Sequence, residues 1–193
     1  MNTFLRVHAK WWALLLSLSL TLAIGALAQN WGFILGTVVG SPAEFTSRDD
    51  PDLPGVAVPV LDSPHIAVGQ ADGVQYNSLP ATSGPHFQTP PAPGIYDTPL
   101  PDALTVHALE HGHVAIQYAS GTDAATIAAL RKVGGEYPGQ VIVAPYPRLA
   151  HGIALTAWGR IDLFDGFDKD RIVRFIVALS GRYDHGWRGE RQG

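Results

Sequence analysis

The stretch DALTVHALEHGHVAIQY, residues 102–118, changes its period halfway along, and that change decides the fold class. Its first ten residues suit a short helix that Asp102 caps and Gly112 stops, because glycine tolerates the left-handed backbone at a helix end. From Val114 onward, Ile116 and Tyr118 alternate with Ala115 and Gln117, the period-two pattern of a half-buried strand. Downstream, Thr122 or Asp123 caps a second helix with Ile127, Leu130 and Val133 on its apolar face, ended by Gly134 and Gly135. Strands follow at 140–144 and 153–158. Asp168 opens a last helix whose apolar face is Ile172, Phe175, Ile176 and Leu179. The polar chain from Arg182 is expected to fray. Upstream, residues 56–61 read as a strand that Pro59 confines to a sheet edge, and 73–76 as a second, short one. Residues 77–101 carry seven prolines and are expected to form a long extended loop without regular elements. This order predicts an α+β domain: a small mixed or antiparallel sheet, two to three helices and long proline-rich loops.

Composition narrows the function classes. The 193 residues fit one domain with an N-terminal extra, and 46% hydrophobic against 16% charged residues allows a packed core. The absence of cysteine excludes disulfides, thiolate metal sites and cysteine nucleophiles. The sole methionine is Met1, which excludes a thioether site for Cu(I). Arg6 and Lys10 are the only charges in residues 1–28, so the remainder has 11 basic against 17 acidic residues, a net −6. Such an acidic balance excludes a nucleic-acid binder, which shows a basic patch or stripe.

Residues 11–28 are uncharged and apolar, and the two cations before them keep the N-terminus cytoplasmic. Ala26-Leu27-Ala28 ahead of Gln29 reads as a cleavage site of a signal peptide. An uncleaved anchor is the preferred expectation. Trp11 and Trp12 mark one end and Trp31 the other, roughly 30 Å apart in a helix, which matches the hydrocarbon layer of a bilayer. The expected organisation is a cytoplasmic segment 1–10, a transmembrane anchor 11–31, a linker 41–55, an extracytoplasmic α+β domain 56–182 and a polar tail 183–193. The lipid bilayer is then a partner through residues 11–31, with the domain on the periplasmic or extracellular side of the cytoplasmic membrane.

The chemistry-bearing residues are histidines: six of the eight fall between His65 and His151. His107 and His111 stand one helical turn apart, the spacing at which two imidazoles share a metal. Glu110 is placed to be a ligand, a base or a partner to a ligand, and His113 and His86 can complete the set. Thiol-free, imidazole-rich donors suit Zn(II), Cu(II) or Fe(II). The plainer alternative is a structural cluster bonding nearby carbonyls of the proline-rich loop. His107-x-x-Glu110-His111 also matches the inverted zinc-peptidase pattern, but those peptidases need a longer active-site helix and a larger chain. Asp162, Asp165, Asp168 and Asp170 miss the calcium-loop spacing, and helix capping by Asp168 explains them better. Ser83 with His86 lacks any oxyanion feature and reads as chance proximity.

Four stretches carry a family resemblance: residues 76–86 (YNSLPATSGPH), 106–112 (VHALEHG), 143–147 (VAPYP) and 153–160 (IALTAWGR). Through them the chain resembles the domain-of-unknown-function 3105 family of bacterial, often membrane-anchored, proteins, over roughly residues 56–180. It departs from the family pattern at His113, where members tend to carry a second glycine. The resemblance implies a fold boundary and marks His86, His107, Glu110 and His111. It implies no reaction. Two functions follow as expectations. The first is a non-catalytic, membrane-anchored accessory or binding protein, docked by its proline-rich arm on a respiratory or photosynthetic membrane complex. The alternative is a metal-binding protein using the histidine cluster, with a metallohydrolase as a remote third.

Overall fold

A computed structural model describes residues 50–185, within the compact unit Phe45–Gly193. The expected N-terminal anchor and most of the linker and tail lie outside the described residues. Among the described residues no helix is long and apolar enough to cross a membrane. The strands are β1 (Val56–Ala57), β2 (His65–Ile66), β3 (His86–Phe87), β4 (Gly94–Ile95), β5 (Val114–Tyr118), β6 (Val141–Pro145), β7 (Ile153–Ala157) and β8 (Arg160–Phe164). The α-helices are α1 (Asp102–Glu110), α2 (Ala124–Gly135) and α3 (Lys169–Leu179). Six strands form one mixed sheet in the order β1-β8-β7-β5-β6-β4, and β2 pairs with β3 in a separate two-stranded piece. The β5-β6 and β6-β4 pairs are parallel and the remaining pairs of the large sheet antiparallel. The domain is therefore α+β with a mixed sheet, as the sequence predicts.

The sheet is buried on both faces. Val114, Ile116, Val141, Val143 and Leu155 pack with Leu130 of α2 and Ile172, Phe175 and Ile176 of α3. The intervening Ala115, Ile142 and Ala144 face Val106, Ala108 and Leu109 of α1, with Trp158 and Ala81. The expectation of a half-buried β5 is thereby corrected: Ala115 on its second face leaves room for α1 and the proline-rich segment. Gly134 and Gly135 form the last turn of α2 rather than ending it. A side chain at Gly134 would collide with Val143, so glycine here lets the helix lie close on the sheet.

Three further expectations change. Asp102 does not cap α1, because Pro101 holds that position, and its carboxylate instead accepts from the Tyr146 hydroxyl at 3.0 Å and from Arg148 at 2.7 Å. Residues 68–73 form a 3₁₀ turn, and 73–76 contain no strand. The loop 77–101, expected to be irregular, contributes β3 and β4, each two residues long and placed between prolines. The sequence reading also missed β8, since Asp162 disguises it. That carboxylate is held by Arg171 of α3, with its Nε at 2.8 Å. Asp168 caps α3 by accepting from Arg171 N–H at 3.0 Å, and Asp165 pairs with His151 at 2.7 Å, so the acids are dispersed among separate partners. β1 is the sheet edge that Pro59 implies, but it pairs over two residues only.

Arg160, 3% exposed, ties the incoming chain to the sheet. Its guanidinium donates to the carbonyls of Pro54 at 3.0 Å, Leu53 at 2.8 Å and Gly55 at 2.8 Å. A planar fork of donors suits this fan of acceptors, and an ammonium does not. Arg160→Ala is expected to lower the unfolding free energy by about 3 kcal/mol, because it strands buried carbonyls. Arg160→Lys should recover little of it. A urea titration checks this, and a change below about 0.5 kcal/mol, the size of an ordinary surface substitution, would contradict it.

Candidate metal centre

The last turn of α1 supplies His107 and Glu110, with His111 as the residue that closes the helix. The parallel β2-β3 pairing sets His65 directly opposite His86. Because α1 packs beside β3, the two histidine pairs meet. The rings of His65, His86 and His107 stand 4.7–5.1 Å apart, and His107 stacks on His111 at 4.9 Å. Four side chains, His65, His86, His107 and Glu110, bring ligand atoms within 4.8 Å of one another. All but His65 are buried.

The backbone decides which nitrogen each ring presents. His86 Nδ1 lies 2.9 Å from the Gly84 carbonyl and His107 Nδ1 lies 2.5 Å from the Phe87 carbonyl. A carbonyl only accepts, so both Nδ1 atoms carry a proton, and a neutral ring in this orientation presents its Nε2 lone pair to the cluster. His86 Nε2 is fully buried and makes no hydrogen bond. It faces Glu110 Oε2 at 3.2 Å, close enough for an ion pair but poorly aligned for a hydrogen bond. His107 Nε2, by contrast, shares a hydrogen bond with His111 Nε2 at 3.0 Å. Burial, then the neighbouring imidazoles of His86, His111 and His65, holds the His107 pKa below the ordinary imidazole value, although the Phe87 carbonyl opposes this. The ring is thus kept neutral and able to donate its lone pair.

The chain after α3 completes the surroundings. Gly181 N–H donates to the Gly112 carbonyl at 2.8 Å, His185 N–H donates to the Glu110 carbonyl at 3.2 Å, and Tyr183 stacks on Trp158 at 4.9 Å. Residues 182–185, expected to fray, are in this way laid along the end of α1. They add Asp184 and His185, which form a second group with His111.

Of the sequence-derived candidates, the structure brings together His86, His107 and Glu110. It places His111 against His107 but in the second group, and His113 in neither. The His113 ring is directed at the Gln140 carbonyl, and burial depresses its pKa. Sequence reasoning missed His65, Asp184 and His185 as members. His65 had one available signal, its place directly after Pro64 at the head of a short apolar run; the tail residues had none. Ser83 and His86 are not paired: Ser83 Oγ accepts from Leu61 N–H at 3.1 Å.

Residues 67–191 match the family described as "Protein of unknown function (DUF3105)", and the chain belongs to that family. No curated protein and no solved structure matches the chain significantly. The match reaches further toward the C-terminus than the resemblance read from the sequence, and it takes in Asp184 and His185.

Gly112 has φ +80°, and a Cβ there would press into the Tyr183 carbonyl. Gly112→Ala is therefore expected to cost about 1–3 kcal/mol and to free residues 181–185. Limited proteolysis after Arg182 and a red shift of Trp158 emission, as Tyr183 unstacks, check this. Unchanged cleavage and emission would contradict it.

Proposed function

We propose that this domain is a metal-binding module that holds one borderline divalent ion, Zn(II) or its neighbours Cu(II) and Fe(II), on His65, His86, His107 and Glu110. The observation that carries the reading is the convergence of two carbonyl-fixed imidazoles on a buried carboxylate. Metal-bound histidines typically donate the other ring N–H to a backbone carbonyl, which fixes tautomer and orientation, and His86 and His107 are both held so. In a tetrahedral site with bonds of about 2.0–2.1 Å, ligand atoms lie roughly 3.3 Å apart. The 3.2 Å separation of His86 Nε2 and Glu110 Oε2 is of that size.

A purely hydrogen-bonded cluster accounts for these contacts less well. Among the described residues, the groups within ion-pair distance of Glu110 are imidazoles. A buried carboxylate without a cation carries a heavy desolvation cost, and neutral rings offering lone pairs add to it. One divalent ion removes both problems. Peptidase chemistry has less support, because α1 ends at Glu110 and that residue sits among the ligands rather than behind them.

The accessory reading draws on the proline-rich arm, and the arm's placement weakens that argument. Residues 80–84 and 86 are buried, and β3 and β4 join the domain's own strands, so much of the arm is committed internally. Membrane attachment through residues 11–31 on the outer side of the membrane is part of the proposal and is compatible with either role. It rests on the sequence alone.

The full chain, purified without a histidine tag and refilled with each ion in turn, is expected to retain at least about one ion per chain. His86→Ala combined with His107→Ala should remove one equivalent. At free metal about a hundredfold above the dissociation constant, the holo form should gain about 2.7 kcal/mol over the apo form. Elemental analysis and thermal unfolding check both. Retention of less than about 0.1 ion per chain with every candidate metal, where a real site of this kind fills, would contradict the reading.

A further inference from the structure

The oxygen that closes the first ligand group also faces a second group. Glu110 Oε2 lies 3.2 Å from His86 Nε2 and 3.5 Å from His185 Nδ1. On the His185 side, His111, Asp184 and His185 converge, all of them accessible to solvent. We propose that His111, Asp184 and His185 hold a second divalent ion beside the first, with the Glu110 carboxylate bridging the two. The inference rests on the metal-binding reading of the first group and deepens it from one ion to a pair.

Three independent observations point to an ion there. The His111 ring spans both groups: its Nε2 is 3.0 Å from His107 Nε2, and its Nδ1 is 3.6 Å from Asp184 Oδ1. The second separation is too long for a hydrogen bond but suits two ligands of one ion. Asp184 therefore does not act as the carboxylate that merely orients His111. His185 has φ +53°, the left-handed region a histidine seldom occupies, and is the only non-glycine described residue with positive φ. Its N–H is held by the Glu110 carbonyl, so the strained backbone turns this imidazole toward the bridging carboxylate. The rings of His111 and His185 meet edge to face at 4.6 Å, and with Asp184 they offer ligand atoms within 4.8 Å of one another.

Charge sets what else the pair would take. Glu110 and Asp184 give the centre two carboxylates, and the imidazoles are neutral donors, so two dications leave an excess of positive charge at an open face. That face suits a bridging water or hydroxide, or an anionic oxygen ligand. Ions sharing a carboxylate in this way stand about 3.5–4 Å apart.

The test uses the full untagged chain in mild detergent, with Zn(II) alone as the probe, and reads bound metal after equilibrium dialysis. The wild type is expected to hold about two ions per chain and Asp184→Asn combined with His185→Ala about one. Both altered residues are exposed, so far-UV circular dichroism should not change. One ion in both proteins would overturn the second site and leave the first standing, and two ions in both would place the second ion elsewhere and overturn it too. No bound ion in the wild type would overturn both readings. As a second readout, Cu(II) at two equivalents should show a magnetically coupled, diminished resonance in the wild type. The double variant should show an ordinary isolated signal; isolated signals in both proteins would overturn the pair.

Discussion

Glu110 places a carboxylate at the buried end of α1, with one oxygen 3.2 Å from the unpartnered Nε2 of His86 and 3.5 Å from Nδ1 of His185. The Gly84 carbonyl holds the proton of His86 on Nδ1, so a neutral His86 ring turns a lone pair toward that oxygen. A buried carboxylate is costly without a compensating positive charge, and a bound cation would supply it. The metal reading, the arrangement of the histidines and the course of the C-terminal chain all turn on that one requirement. An apolar replacement of the whole cluster would be simpler to bury, which favours the proposed ligand role over support of the fold.

The fold builds this cluster from four separate segments without a disulfide. A sheet filled on both faces fixes α1 through Val106, Ala108 and Leu109, and thereby aims His107 and Glu110. The proline-rich segment is pinned by Leu61 N–H on Ser83 and by the Tyr76 hydroxyl on the Pro85 carbonyl, which delivers His86 to the two-residue strand β3. Restricted φ values make such a segment stiff before it folds, so little further order is needed to hold a ligand in place. Arg160 and Gly112 do the equivalent work for the two chain ends: one gathers residues 53–55, the other allows residues 181–183 to approach α1 closely.

The sequence made the central elements legible because their signals are local. The 3.6-residue spacing of Ile172, Phe175, Ile176 and Leu179, the cap at Asp168 and the strand from Val114 to Tyr118 all have signals within one element, and all three appear in the structure. The same holds for the one-turn spacing of His107 and His111. What escaped is set by pairing between distant segments. β8 carries Asp162 in mid-strand, and only the presence of Arg171 nine residues on makes that tolerable. His65 joins the site through its register with His86, and His185 joins through hydrogen bonds to α1, neither of which has a periodic signature. His113 shows the converse: proximity in sequence to three candidates does not bring it into the cluster, because the strand beginning at Val114 turns its ring toward Gln140.

X-ray absorption at the zinc edge of the full chain loaded with one equivalent of Zn(II) tests the central claim most directly. The account predicts a first shell of three imidazole nitrogens and one carboxylate oxygen at about 2.0–2.1 Å, with the outer scattering that imidazole rings produce. A shell of oxygen alone, without that imidazole signature, would contradict it.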